Sequence, residues 1–85
     1  MRTYKTVTQL LNQYQYKISA DNANYIEFIN NGDGIVTVDD VKILPFGSWA
    51  PVPPLADEEN TTQYTIKFEA PATIYALMVT RKYYI

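Results

Sequence analysis

The stretch Val36-Thr37-Val38-Asp39-Asp40-Val41-Lys42-Ile43 constrains the fold of this chain more than any other. If Asp39 and Asp40 form a two-residue turn, Val38 pairs with Val41 and Val36 with Ile43. Those four apolar side chains then share one face, and Thr37 and Lys42 share the other. A reversed pair of short strands with this register must bury its valine face against another layer. The spacing therefore predicts a β-hairpin and, around it, an antiparallel β domain.

Period-two alternation recurs on both sides of that hairpin. In Tyr14–Ser19, Tyr14, Tyr16 and Ile18 alternate with Gln15, Lys17 and Ser19. Ile26 and Phe28 share a face in Tyr25–Asn30, with Tyr25 and Ile29 adding apolar surface to the other. Tyr64, Ile66 and Phe68 follow Thr62 along one face of the clearest strand, opposite Gln63, Thr65, Lys67 and Glu69. These runs are rich in aromatic and β-branched residues and read as half-buried strands. The segment from Ile74 is apolar on both faces, with Tyr75, Leu77 and Val79 on one and Ile74, Ala76 and Met78 on the other. Such a strand is either central between packed layers or covered on one side by a neighbouring chain. Asn31 to Gly34 supplies residues that tolerate positive φ, for a turn out of the strand before it.

Between residues 45 and 61 the pattern lapses. Pro51, Pro53 and Pro54 rule out a central strand, and Asp57, Glu58 and Glu59 follow. This reads as a long exposed loop. Residues 1–13 read as an N-terminal arm or an edge strand, with one helical turn capped by Thr6 and Gln9 as a further reading. The expected architecture is one domain over residues 14–85, an all-β antiparallel β-sandwich of about six to seven strands with a long Pro-rich loop.

The same letters around Asp33 admit a metal-binding reading. The run from Asn31 through Leu44 resembles the calcium-binding half of a dockerin, with Gly34 at the turn of an EF-hand-like loop and Asp40 at its last ligand position. The first ligand position then falls on Ile29, which has no side-chain oxygen. A helix starting near Asp39 would meet Pro45 within two turns. The hairpin reading is favoured, with a calcium site at Asn31, Asp33, Asp39 and Asp40 as the alternative, and no cofactor is expected.

Composition narrows the function. Histidine and cysteine are absent, so a conventional nucleophilic triad cannot be assembled and thiolate metal sites are excluded. The net charge is −2 and the basic residues are scattered, so no nucleic-acid-binding patch is expected. No apolar run approaches the roughly 20 residues of a membrane span, and the N-terminus lacks the apolar segment of a secretory signal. Eight tyrosines, and 47% apolar residues in 85, exceed what one small core needs. The excess predicts subunit contacts rather than catalysis. The expected contact residues are Phe46, Trp49, Tyr83, Tyr84 and Ile85. Trp49 is read first as an aromatic lid on one end of the sandwich, and second as a platform for a sugar ring or an interface anchor.

The order of features between residues 24 and 69 resembles small all-β structural proteins of tailed-phage virions. A strand ending Phe28-Ile29-Asn30-Asn31-Gly32 leads into the hairpin, then Pro45-Phe46-Gly47-Ser48-Trp49, a polar acidic loop and the strand Thr62–Glu69. Phe46 stands between Pro45 and Gly47 where that family often has the two adjacent. The resemblance implies a non-enzymatic virion component: a capsid decoration, spike-base or fibre-associated subunit. Such a component would be made in a host cytoplasm and would act as a homo-oligomer in contact with other virion proteins. The alternative function is a calcium-assisted or carbohydrate-binding β module of a surface protein.

Overall fold

The computed structural model describes residues 4–12, 16–51 and 60–84. Among the described residues there are eight strands and no helix: β1 Tyr4–Leu11, β2 Lys17–Ser19, β3 Tyr25–Asn30, β4 Val36–Val38, β5 Val41–Ile43, β6 Ser48–Trp49, β7 Gln63–Phe68 and β8 Leu77–Tyr84. They form two four-stranded antiparallel sheets, in the orders β1-β8-β3-β6 and β2-β7-β4-β5. The chain is an all-β sandwich. The count exceeds six to seven because β6 is a two-residue edge strand pairing Ser48 and Trp49 with Ile29 and Phe28. That pairing interrupts the predicted loop. Its residues 52–59, including Asp57, Glu58 and Glu59, lie outside the described residues.

The central hairpin has the predicted register: Val36 pairs with Ile43, Thr37 with Lys42 and Val38 with Val41. Val36, Val38 and Ile43 are buried, and Val41 is partly so. Asp39 reverses the chain at a φ of 53°. A left-handed conformation is tolerable for Asp because its short side chain can hydrogen-bond locally. Its Oδ1 accepts from the Thr65 N–H at 2.9 Å, and its own N–H donates to the Thr65 carbonyl at 2.8 Å. Both bonds tie the turn to β7.

From the other sheet Phe28, Ile26, Leu77 and Val79 meet this face, and Tyr64 and Ile66 complete the core. Phe28 is its centre, edge-on to Tyr64 at 5.2 Å and stacked on Trp49 at 6.0 Å. Aromatic pairs in these arrangements add to the stabilisation from burial alone. β8 is central in its sheet, between β1 and β3, but it is apolar on both faces only at its start: Leu77 and Val79 are buried, while the outward face runs Met78, Thr80, Lys82, Tyr84. It begins only at Leu77, so Ile74 and Tyr75 precede the strand, and Tyr75 packs edge-on against Phe68 at 6.0 Å.

Two local expectations are corrected. Tyr16 does not share a buried strand face with Ile18: β2 is three residues long, and Tyr16 lies before it, exposed. Its carbonyl accepts from the Ile66 N–H at 2.7 Å. Tyr14 lies outside the described residues. The turn from Asn31 to Gly34 uses no positive φ; among the described residues the left-handed ones are Asp21, Asn22, Asp39 and Phe46. Gly32 and Gly34 are required by close approach instead. A Cβ on Gly32 would collide with the Ile74 carbonyl oxygen, and one on Gly34 would lie 2.7 Å from the Ala72 Cβ. Residues 4–11, read as an arm or an edge strand, form a full-length edge strand on β8, from Tyr4 opposite Tyr84 to Leu11 opposite Leu77.

Candidate interaction surface

The end of β3 organises the most exposed apolar tip of the molecule. Asn30 is fully buried in an otherwise apolar region, so every polar atom of its side chain needs a partner. Its Nδ2 donates to the carbonyls of Gly34 at 2.7 Å and Ile43 at 2.9 Å, and its Oδ1 accepts from the Gly32 N–H at 2.9 Å. Its backbone carbonyl accepts from Phe46 and its N–H donates to Gly47. The side chain thus fastens the turn after β3 to the end of β5, and the backbone of the same residue holds the turn that follows β5.

That last turn runs Leu44-Pro45-Phe46-Gly47, closed by the Gly47 N–H on the Leu44 carbonyl at 2.8 Å. Proline in its second place and a positive φ in its third are the marks of a type II turn, whose third place normally requires glycine. Here that place holds Phe46, at a φ of 65°. A bulky side chain in this conformation costs on the order of 1–3 kcal/mol. Nor does the fold recover the cost by burial, for Phe46 is 84% exposed. Leu44 beside it is 62% exposed. At the same end of the sandwich, Ile74 is 55% exposed, and its backbone is held by Asp33. The Asp33 Oδ1 accepts from the N–H groups of both Thr73 and Ile74 at 2.9 Å. The Ile74 N–H lowers the Asp33 pKa below its ordinary 3.8; partial desolvation opposes this, and the Thr73 N–H adds to it.

The other expected contact residues are dispersed. Trp49 is half-buried on Phe28, with one ring face inside. The Tyr83 hydroxyl donates to the Asp21 carbonyl at 3.1 Å. Burial raises its pKa, and the Asp21 carboxylate raises it further against the opposing Arg81 charge. Tyr84 is exposed at the far end of the first sheet, its ring 6.3 Å from Tyr4. Ile85 lies outside the described residues. Beside Tyr84, the Lys82 ammonium lies over two rings, 4.8 Å from Tyr4 and 5.3 Å from Tyr25. These contacts order the end of the outer face through cation–π attraction.

The acids proposed as calcium ligands do not converge. Asp33 and Asp39 stand at opposite ends of β4, each occupied by backbone N–H groups, and among the described residues no three metal-ligating side chains form a cluster. Asn60, in the sequon-like Asn60-Thr61-Thr62, spends its amide on the Tyr64 hydroxyl and the Thr62 N–H.

One polar site was missed in the sequence. Arg81 is buried at the open side between β1 and β2, with Nε and Nη2 on the Ser19 carbonyl and Nη1 on the Gln9 side chain. The phase that carries Leu77 and Val79 inward also carries Arg81 inward, so alternation gives its face, though not its partners on β1 and β2. An open cleft of about 540 Å³ adjoins it, lined by Val7, Gln9, Lys17, Ile18, Asp21 and Arg81 among others.

The two outer faces of the sandwich differ. On the second sheet Lys17, Lys42, Lys67, Thr37, Thr65 and Gln63 face outward. On the first sheet the outward set includes Tyr4, Leu10, Tyr25, Ile29, Met78 and Tyr84. The protein is therefore a small β-sandwich module with an apolar tip and one apolar-rich outer face. No protein-family model, curated protein or solved structure matches it.

Proposed function

We propose that this protein is a non-enzymatic structural subunit that works by self-association and subunit contacts, as a component of a virion. The association reading is supported by Phe46, the most exposed large apolar side chain described, in a turn position suited to glycine. A residue that strains its turn and buries nothing within its own chain is explained by a contact outside it. Aromatic side chains are preferred anchors at interfaces, since they bury large area at low entropic cost. Leu44 and Ile74 would extend the contact. The virion reading rests on the resemblance of residues 24–69 to tailed-phage structural proteins.

Phe46→Gly tests this reading. Glycine suits the third place of a type II turn, so the variant's isolated subunit should gain about 1 kcal/mol by relief of strain. Its molar mass by light scattering should nevertheless fall below that of the wild type at equal concentration. A wild type that stays monomeric up to millimolar concentration, or a variant that associates equally well, defeats the proposal.

A further inference from the structure

The four strands at the sheet edges are unequal. β2 and β5 have three residues each and β6 has two, too short to template another strand. β1 has eight, paired without interruption to β8 on one side and to no described strand on the other. Exposed edges are normally blunted by proline, bulges, charged side chains or brevity. β1 carries no proline or bulge, and a single inward-facing charge, Lys5 near its start, is the one such device along its eight residues.

The side chains of this edge are self-complementary. Tyr4, Thr6, Thr8 and Leu10 point to the outer face of the sheet, and Lys5, Val7, Gln9 and Leu11 to the inner. A two-fold axis perpendicular to the sheet joins two β1 strands antiparallel, with outer residues facing outer residues only when the two residue numbers of each pair sum to an even value. Centred on Val7, the register sets Tyr4 against Leu10, Thr6 against Thr8, Lys5 against Gln9, and Val7 against its own copy. Aromatic–aliphatic and threonine pairs are favourable cross-strand neighbours, and no like charges meet. Centring on Thr8 instead puts Lys5 against Leu11 and Val7 against Gln9. Centring on Thr6 pairs only residues 4–8 of the strand. The Val7-centred register is the best matched.

The geometry points to β1–β1 pairing of two copies of this chain, centred on Val7, which fuses their first sheets into one continuous eight-stranded sheet. This rests on the self-association proposed above and assigns it a surface separate from the Phe46 tip. Exposed Val7 would be covered by its symmetry mate, and about one hydrogen bond per paired residue would form along the strand.

The chain has no cysteine, so single cysteine variants report cleanly. Val7→Cys should form a disulfide-linked dimer on mild oxidation, because residues directly opposite across antiparallel strands lie about 4.5–5.5 Å apart at Cα, within disulfide reach. Leu10→Cys should not, since its copies would be about 20 Å apart. Thr6→Lys/Thr8→Lys alters exposed positions only and sets lysines opposite each other, so its mass by light scattering should drop to half the wild-type value. Equal cross-linking of the Val7 and Leu10 variants, or an unchanged mass for the lysine pair, overturns the inference. If the lysine pair leaves the mass unchanged while Phe46→Gly lowers it, edge pairing fails and the assembly reading stands. A strictly monomeric wild type removes both.

Discussion

Asn30→Ala should be among the most damaging single substitutions in this chain. The change removes three hydrogen bonds, to the carbonyls of Gly34 and Ile43 and the N–H of Gly32. A hydrogen bond is worth about 1 kcal/mol net, but a buried partner left without one costs about 1–3 kcal/mol. The bonds to Ile43 and Gly32 are fully buried and the one to Gly34 is partly so. The expected loss is therefore about 3–5 kcal/mol. A domain of this length has about 4–13 kcal/mol in all. Urea unfolding followed by tyrosine and tryptophan fluorescence would show the midpoint falling by about 2–4 M at an unchanged slope. Asn30→Asp separates the donors from the acceptor. It keeps an oxygen for Gly32 but turns a carboxylate toward two carbonyl oxygens. Its folded pKa must rise above the unfolded value of about 3.9, so the deficit is full at neutral pH and shrinks as pH falls towards 4. A loss below 1 kcal/mol in Asn30→Ala would refute the reasoning, because it would mean that the turn after β3 and the end of β5 do not depend on this side chain.

Three further outcomes follow from the same geometry. Asp33 has a lowered folded pKa, so its stabilising effect is present above its ordinary 3.8 and is lost as pH falls through the folded value; Asp33→Asn should flatten the dependence of Tm on pH below 4. Tyr83 has a raised folded pKa, so its contribution is present below 10.0 and is lost as pH rises through the folded value; ultraviolet titration should show one late-ionising tyrosine that disappears in Tyr83→Phe. Asp39→Ala should cost about 1–2 kcal/mol in urea unfolding, through the lost Thr65 bond and the strained φ, whereas Asp39→Asn should cost under about 0.5 kcal/mol.

Much of this architecture was legible in the chain before any coordinates. The pairing of Val36, Val38, Val41 and Ile43 follows from alternation and a two-residue turn, and so do the inward faces of Ile26 with Phe28 and of Tyr64 with Ile66. Short-range pattern suffices there because a one-residue slip would turn every one of those side chains out of the core. The contact residues were less legible. Phe46 and Trp49 occupy one proline-rich stretch and look equivalent, yet one is 84% exposed and the other is stacked on Phe28. Which of them faces water depends on β6 pairing with β3, a strand outside the reach of local alternation.

Alternation along the chain thus determined by itself that strands form, where the central one reverses and which of their faces are greasy, since each of these depends on neighbours a few residues apart. Only the tertiary structure decided that the Asn30 side chain ties the turn after β3 to the end of β5, that Arg81 takes the Ser19 carbonyl and Gln9 as partners between β1 and β2, that glycine is needed at 32 and 34 for want of space, and that β1 is the one long free edge described. Each of those depends on groups brought together from distant parts of the chain. Local periodicity carries no information about which backbone groups will be left facing one another when two sheets close.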